Sequence, residues 1–275
     1  MKHKDILKAS GELVSFDEEK LYHSLLNSGV SSEHALEIVD LILPFRTEGM
    51  TTKDLTRLAF RLLKKKEKLC AARYYLKRGL LELGPSGYAF ETLMGELFKV
   101  QEYRVNTGII LNGKCVSHEV DVVARTNNHI HIIECKFHNQ QRFSSDVKVP
   151  LYIHSRFNDI VNGWPQQKHK IHFNQIIATN TRFSDDAKKY ANCVGIDLIS
   201  WDYPKQNCLK LLIDRHRLYP LTCLTSVSLK QKQQLLKEGY ILAKQLKKNK
   251  SAIKRLGLSK KKENLILQEV ESLIS

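Results

Sequence analysis

The chain has 275 residues, 42% of them hydrophobic, with a formal charge of +15 and a pI near 9.5. That much apolar matter supports a full core and excludes a disordered chain, while no apolar run approaches the roughly 18 residues of a membrane span. Such a basic excess favours a polyanionic partner, with nucleic acid first in line.

The N-terminus, MKHKDILKAS, lacks the apolar core of a signal peptide. Six cysteines (Cys70, Cys115, Cys135, Cys193, Cys208 and Cys223) are scattered with no C-x-x-C pair. They read as reduced thiols of a cytoplasmic protein, not as a disulfide framework or zinc cluster. The first unit then opens with ILKASGELVSF, two short strands around a turn at Ser10-Gly11. Asp17 caps a helix through about Asn27, Ser31 or Ser32 a second through about Leu43, and Thr51 or Thr52 a third to about Lys65. A last helix holds LCAARYYLKRGLLEL. Leu55, Leu58, Ala59 and Leu62 follow helical spacing and need only a core role.

Lys8-x-x-Gly11, Phe16-Asp17 with Lys20, the Thr51-Thr52 helix start and Ala71-Ala72-Arg73-Tyr74 together resemble the ATP-cone, a small regulatory nucleotide-binding domain. The resemblance covers residues 1–84. It implies ATP or dATP as ligand, with Lys8 and Lys20 on the phosphates and Gly11 allowing close backbone approach. Ala9 stands where that family often carries a second basic residue.

GPSG at 84–87 marks a boundary. In the helix after it, Phe90, Leu93, Met94 and Leu97 form an apolar stripe with Glu91 beside it. A strand at 104–111 and an Asn112-Gly113 turn lead to EVDVVARTNNHIHIIECK, residues 119–136. Asn127-Asn128 suits a two-residue hairpin turn, because asparagine tolerates positive φ. With that turn, paired residue numbers add to 255, so Asp121 lies opposite Glu134 and Glu119 opposite Lys136. Strand parity puts Lys136 on the face of Glu134 and turns Cys135, His129 and His131 away. Like charges about 5 Å apart across a strand pair are destabilising, which a divalent cation would relieve. The same register also allows Glu119 and Lys136 to form an ordinary surface ion pair. Downstream come a helix over about 146–162, a buried strand IHFNQIIAT, a Ser184-capped helix and a strand GIDLISW. Gln166, Gln167 and Gln175 are polar candidates for DNA contact that no spacing singles out.

Gly87-Tyr-Ala-Phe-Glu91, Val120-Asp121, Glu134-Cys135-Lys136, Thr179-Asn180 and Gly195-Ile-Asp-Leu-Ile199 resemble the PD-(D/E)XK nuclease superfamily, in its Mrr-like restriction endonuclease branch. This chain has His118-Glu119-Val120-Asp121 where that branch often has Gly-x-Asp. The resemblance spans 85–205. It implies Mg2+ or Mn2+ held by Asp121, Glu134 and the Cys135 carbonyl, with Lys136 and Glu91 completing the catalytic set.

From Leu229 to Ser275 twelve Lys or Arg stand against four Glu, a balance of +8. Leu256-Gly257-Leu258-Ser259 is reminiscent of a helix-hairpin-helix turn, with Lys254, Arg255, Lys260, Lys261 and Lys262 as phosphate contacts or as a solvated face. The expected fold is α/β, an α+β mixed sheet. A mainly helical ATP-cone (1–84) precedes a restriction-endonuclease-like αβββαβ core (85–205) and a helical DNA-binding tail (206–275). The expected protein is a metal-dependent DNA endonuclease under nucleotide control, with no membrane association and a homodimer compatible with it. A nucleotide-responsive DNA-binding regulator without cleavage is the alternative. A nucleotide-sensing regulator of a protein partner is a third reading.

Overall fold

The computed structural model describes residues 5–7, 12–45, 50–140, 142–164 and 171–275. Strands β1 (Asp5–Leu7) and β2 (Leu13–Ser15) pair antiparallel and lead into α1 (Glu18–Leu26), α2 (Ser32–Ile42) and α3 (Thr52–Lys66). Each of these helices starts on a side chain that accepts an otherwise orphaned amide: Asp17 from Lys20, Ser31 from His34 and Thr51 from Asp54. The helix expected over LCAARYYLKRGLLEL is two, α4 (Lys68–Tyr74) and α5 (Leu76–Leu81). The two cores meet here, with α4 facing both. Cys70 and Ala71 pack with Leu25, Ile38 and Leu63, whereas Ala72, Leu76 and Leu80 pack with the rest of the chain.

The central region runs α6 (Tyr88–Lys99), β3 (Arg104–Asn112), β4 (Ser117–Arg125), β5 (His129–Lys136), β6 (Ser144–Ser145), α7 (Lys148–Gly163), β7 (His172–Thr179), β8 (Arg182–Phe183), α8 (Asp185–Val194) and β9 (Ile196–Ile199). This is the expected α-β-β-β-α-β-α-β order, with two two-residue strands added that pair with each other. The five-stranded sheet has the order β3-β4-β5-β7-β9, antiparallel through β5 and parallel beyond. Helix α6 covers one face, against Val122, Ile133 and Ala178. Helices α7 and α8 cover the other, against Val123, Ile132 and Ile177. The fold is therefore mixed α/β with a sheet buried on both faces.

The pleat of β3 and β4 reverses midway. Val105 packs on the α6 face but Ile109 and Leu111 on the α7 face, although all three have the same parity. Val122 and Val120 are split in the same way. The register passes from Thr107↔Val122 to Ile109↔Val120, omitting the pair between them, and Gly108 there has φ +60°. Only a residue without Cβ enters that left-handed region at little cost. Its skipped partner is Asp121.

After the sheet come α9 (Leu209–Arg215), a 3-10 turn at Leu221–Cys223, α10 (Leu229–Lys237), α11 (Ala243–Lys248), α12 (Lys250–Lys254) and α13 (Lys260–Ile274). These helices are a docked layer. Leu235, Leu246, Ile253, Ile266, Val270 and Leu273 share the core of α6 and the sheet, and so do Leu76, Leu80 and Leu83. Buried apolar contact thus continues across both expected boundaries, near 84 and 205. Among the described residues no helix is long and apolar enough to cross a membrane.

Candidate active site

The hairpin register is the expected one, with Arg125↔Ile130 through Val122↔Ile133 paired, but Asn127 and Asn128 close the loop without the positive φ expected of them. There the ladder stops. The reversal at Gly108 turns Asp121 out of the pairing line, and its Oδ2 accepts the Cys135 amide at 2.6 Å. Glu134 is 7% exposed and held by two cations: Lys136 Nζ donates to Oε1 at 2.6 Å, and Arg156 of α7 donates to Oε2 at 3.1 Å. Arg156 also donates to the Glu119 carbonyl. The Glu119–Lys136 ion pair that the register allows is not made, because Lys136 turns to the nearer carboxylate on its own strand.

The far end of β5 is tied down by β7. Thr179 Oγ1 donates to the Lys136 carbonyl at 2.7 Å. Asn180 clamps His138 at two points, accepting its amide at 2.8 Å and donating to its carbonyl at 2.7 Å. Thr179, Asn180 and Thr181 are all buried. The Lys136 and His138 backbone is therefore held from buried side chains of the neighbouring strand end.

Glu91 enters from the first turn of α6. Burial first, and then the charges of Asp121, Glu119 and Glu134, push its carboxyl up to about 7. Asp121 is raised by burial and by Glu134. Acids that raise one another mark a place with more negative charge than its own cations balance. Because the folded protein holds the Glu91 proton above the ordinary 4.5, stability falls as pH rises from about 4.5 to about 7. In EDTA, Glu91→Gln should melt like the parent at pH 4 and higher at pH 8. The gain expected is about 1–2 kcal/mol after solvent screening, and added Mg2+ should narrow it. Equal melting at both pH values would remove Glu91 from the cluster.

The donor set suits a hard cation. Among the described residues no three His, Cys, Asp or Glu side chains lie close enough to enclose an ion. Mg2+ does not require such a cage, since one or two carboxylates with water and substrate oxygens complete its shell. Asp121, Glu134 and the Cys135 carbonyl fit that description, provided Glu134 yields one of its cations. The Cys135 thiol has no part in this, being buried on the α6 face with its pKa pushed well up by burial.

His129 and His131 stay out of the site. His131 Nε2 lies 3.1 Å from the Tyr103 hydroxyl, and His129 stacks on His172 at 5.2 Å. Lys20 is exposed on α1 and paired with Asp17 at 2.8 Å. Lys8, Gly11, Gln166 and Gln167 lie outside the described residues. Gln175 sits within β7 with its Oε1 buried and unpartnered. Lys254, Lys260, Lys261 and Lys262 are exposed, whereas Arg255 is engaged by Glu238 at 2.6 Å. Arg156 is the site residue that sequence reasoning missed; its only local signal is a place beside the Ile153, Phe157, Ile160 stripe.

The profile of the AF1548-like, C-terminal family matches residues 219–274, the docked helical layer. An uncharacterized protein of Archaeoglobus fulgidus is 34% identical over 183 residues, covering 66% of this chain and 99% of its own length. The crystal structure of a protein of unknown function, AF1548, is similar at a TM-score of 0.55 and 31% identity, over 69% of this chain and 98% of that one. The MspJI restriction endonuclease, solved with a 27-mer oligonucleotide, scores 0.32 at 14% identity over 47% of this chain and 29% of its own, too low to carry any argument.

Proposed function

The chain belongs to the AF1548-like family, and from the acidic site on its central sheet we propose that it is a metal-dependent nuclease that hydrolyses DNA phosphodiesters. The observation that supports this most is the meeting of Glu91, Asp121 and Glu134 with Lys136 and Arg156, two of the acids being raised first by burial and then by their neighbours. Asp121, Glu134 and the Cys135 carbonyl would hold Mg2+ or Mn2+. Bound there, the ion would make water easier to deprotonate and offset charge developing on phosphate. Lys136, with its backbone fixed by Thr179, orients that water or stabilises the developing charge. Glu91, whose carboxyl burial and the neighbouring acids push up to about 7 in the free protein, would be suited to relay a proton. Arg156 keeps Glu134 paired until a cation or phosphate arrives.

The N-terminal unit is read as the regulatory part, taking ATP or dATP at Lys8, Gly11 and Lys20 in the manner of an ATP-cone. Support for this is the order of two strands and then helices, with Lys20 exposed beside its capping Asp17. Lys254 and Lys260 to Lys262 would contact DNA phosphates. Plasmid cleavage with Mg2+, with and without ATP, tests both parts. Activity that survives Asp121→Ala combined with Glu134→Ala would sink the site assignment. The double pairing of Glu134 favours one competing reading, a nucleotide-responsive DNA-binding regulator. It predicts salt-sensitive binding that the same double variant leaves unchanged.

A further inference from the structure

A cleft of about 1040 Å³ lies between the N-terminal helices and the central sheet. Its sheet-side wall is built from segments that leave the carboxyl ends of parallel strands: Asn139, Gln140 and Arg142 after β5, and Trp201 after β9. In sheets of this kind that edge is where ligands bind. Seven Lys or Arg side chains line the cleft among the described residues, against one carboxylate, Glu82. Glu82 is already taken by Arg78 at 2.9 Å and by the Tyr75 hydroxyl at 2.6 Å. Lys53, Lys77, Arg142 and Lys210 have no carboxylate within ion-pair distance among the described residues. They come from four different segments, so the charge is spread along the cleft.

We propose that this cleft binds a single strand of nucleic acid, its phosphates on Lys77, Arg142 and Lys210 and a base against Trp201. The Lys77 ammonium stands 5.4 Å from the centre of the Trp201 ring, which joins a cation to an aromatic surface at one point. Phosphate-tracking cations interleaved with stacking surfaces are what sequence-tolerant single-strand binding requires. The volume admits a few nucleotides but not a turn of duplex, which is about 34 Å long. Lys20, given to ATP above, also lines this cleft; a nucleoside triphosphate held there concentrates its charge in one short tail and would leave Lys77, Arg142, Lys210 and Trp201 unused. Burial first, then Arg182, lowers the Lys77 ammonium to about 8, so an anion there relieves a cost the fold already carries. Neither Asp121 nor Glu134 lines the cleft, and strand binding does not depend on their cutting anything.

The full chain carrying Trp164→Phe keeps Trp201 as its one tryptophan reporter. Titration with dT12 and U12 should quench that fluorescence, the two arms separating DNA from RNA as the preferred strand. A 12-base-pair duplex or ATP at equal phosphate should not quench it. Lys77→Met with Lys210→Met should weaken strand binding at least tenfold. It should also flatten the slope of log affinity against log salt by about 1.4, or about 0.7 for each phosphate left without its lysine. That double variant should melt no lower than the parent, since both lysines are only partly buried and Lys77 is a cation that burial disfavours, so weaker binding cannot be put down to misfolding. Quenching by ATP but not by single strands would overturn the proposal in favour of a nucleotide pocket. Wild-type affinity in the double lysine variant would overturn it outright.

Discussion

Asp121→Asn is expected to lower Mg2+-dependent cleavage at least about 10³-fold, roughly 4 kcal/mol of transition-state stabilisation, while leaving the fold as stable as the parent or slightly more so. The two halves have separate causes. Asparagine keeps an oxygen for the Cys135 amide, so the 2.6 Å bond that holds β4 to β5 beyond the ladder survives. What disappears is the charge, which burial and Glu134 both disfavour. In the free protein its removal is a relief; in the metal-bound form proposed above it would be the loss of a ligand. Under the proposed metal site, Mg2+ should raise the parent's melting temperature, and that shift should shrink or vanish in the variant. A variant that melts well below the parent would mean that Asp121 is structural. One that cleaves normally would mean that the ion is held elsewhere. These readouts are independent, so a failed assay cannot be mistaken for a misfolded protein.

How much of this was legible differs from residue to residue. The register from Arg125↔Ile130 onward is the one a two-residue loop at Asn127-Asn128 requires, although neither asparagine takes the positive φ expected of it. Caps at Asp17, Ser31, Thr51 and Ser184 are equally local and stand where side-chain chemistry puts them. Parity arithmetic, however, assumes an unbroken pleat. Gly108 breaks it, and an isolated glycine inside a strand pattern is the one hint of this in the chain. That break is why Asp121 reaches the Cys135 amide instead of facing Glu134 squarely. Arg156 was out of reach altogether, since it joins Glu134 from another element 22 positions away. Nothing in helical spacing distinguishes it from a surface arginine. The basic C-terminal stretch shows the same limit: the stripe of Ile266, Val270 and Leu273 announces a helix but not the surface it covers.

That docked surface carries the largest stability effect expected. Glu269→Ala should destabilise the protein by about 3 kcal/mol, seen as a fall in melting temperature of roughly 6–12 °C at the 2–4 °C per kcal/mol of large domains. Glu269 is 4% exposed, and its carboxylate accepts the Thr225 amide at 2.5 Å, the Ser226 amide at 2.9 Å and the Ser226 hydroxyl. It thereby fastens α13 to the segment that leads into α10. Alanine leaves two amides and a hydroxyl without their acceptor, each costing about 1–3 kcal/mol when buried, less whatever water enters the gap to recover. Glu269→Gln keeps one oxygen and sets an N–H against the remaining donors, so about half the loss is expected. Lys232 strengthens the case that this layer is structural. It is buried, donates to the Thr222 carbonyl at 2.5 Å, and lies 5.2 Å from the Tyr75 ring centre. A C-terminal stretch that merely trailed from the domain as a DNA-binding arm would show neither feature. Its stability would not respond when Glu269 is replaced. Thermal melts of the alanine and glutamine variants, read beside their DNA affinity, decide which part this layer plays.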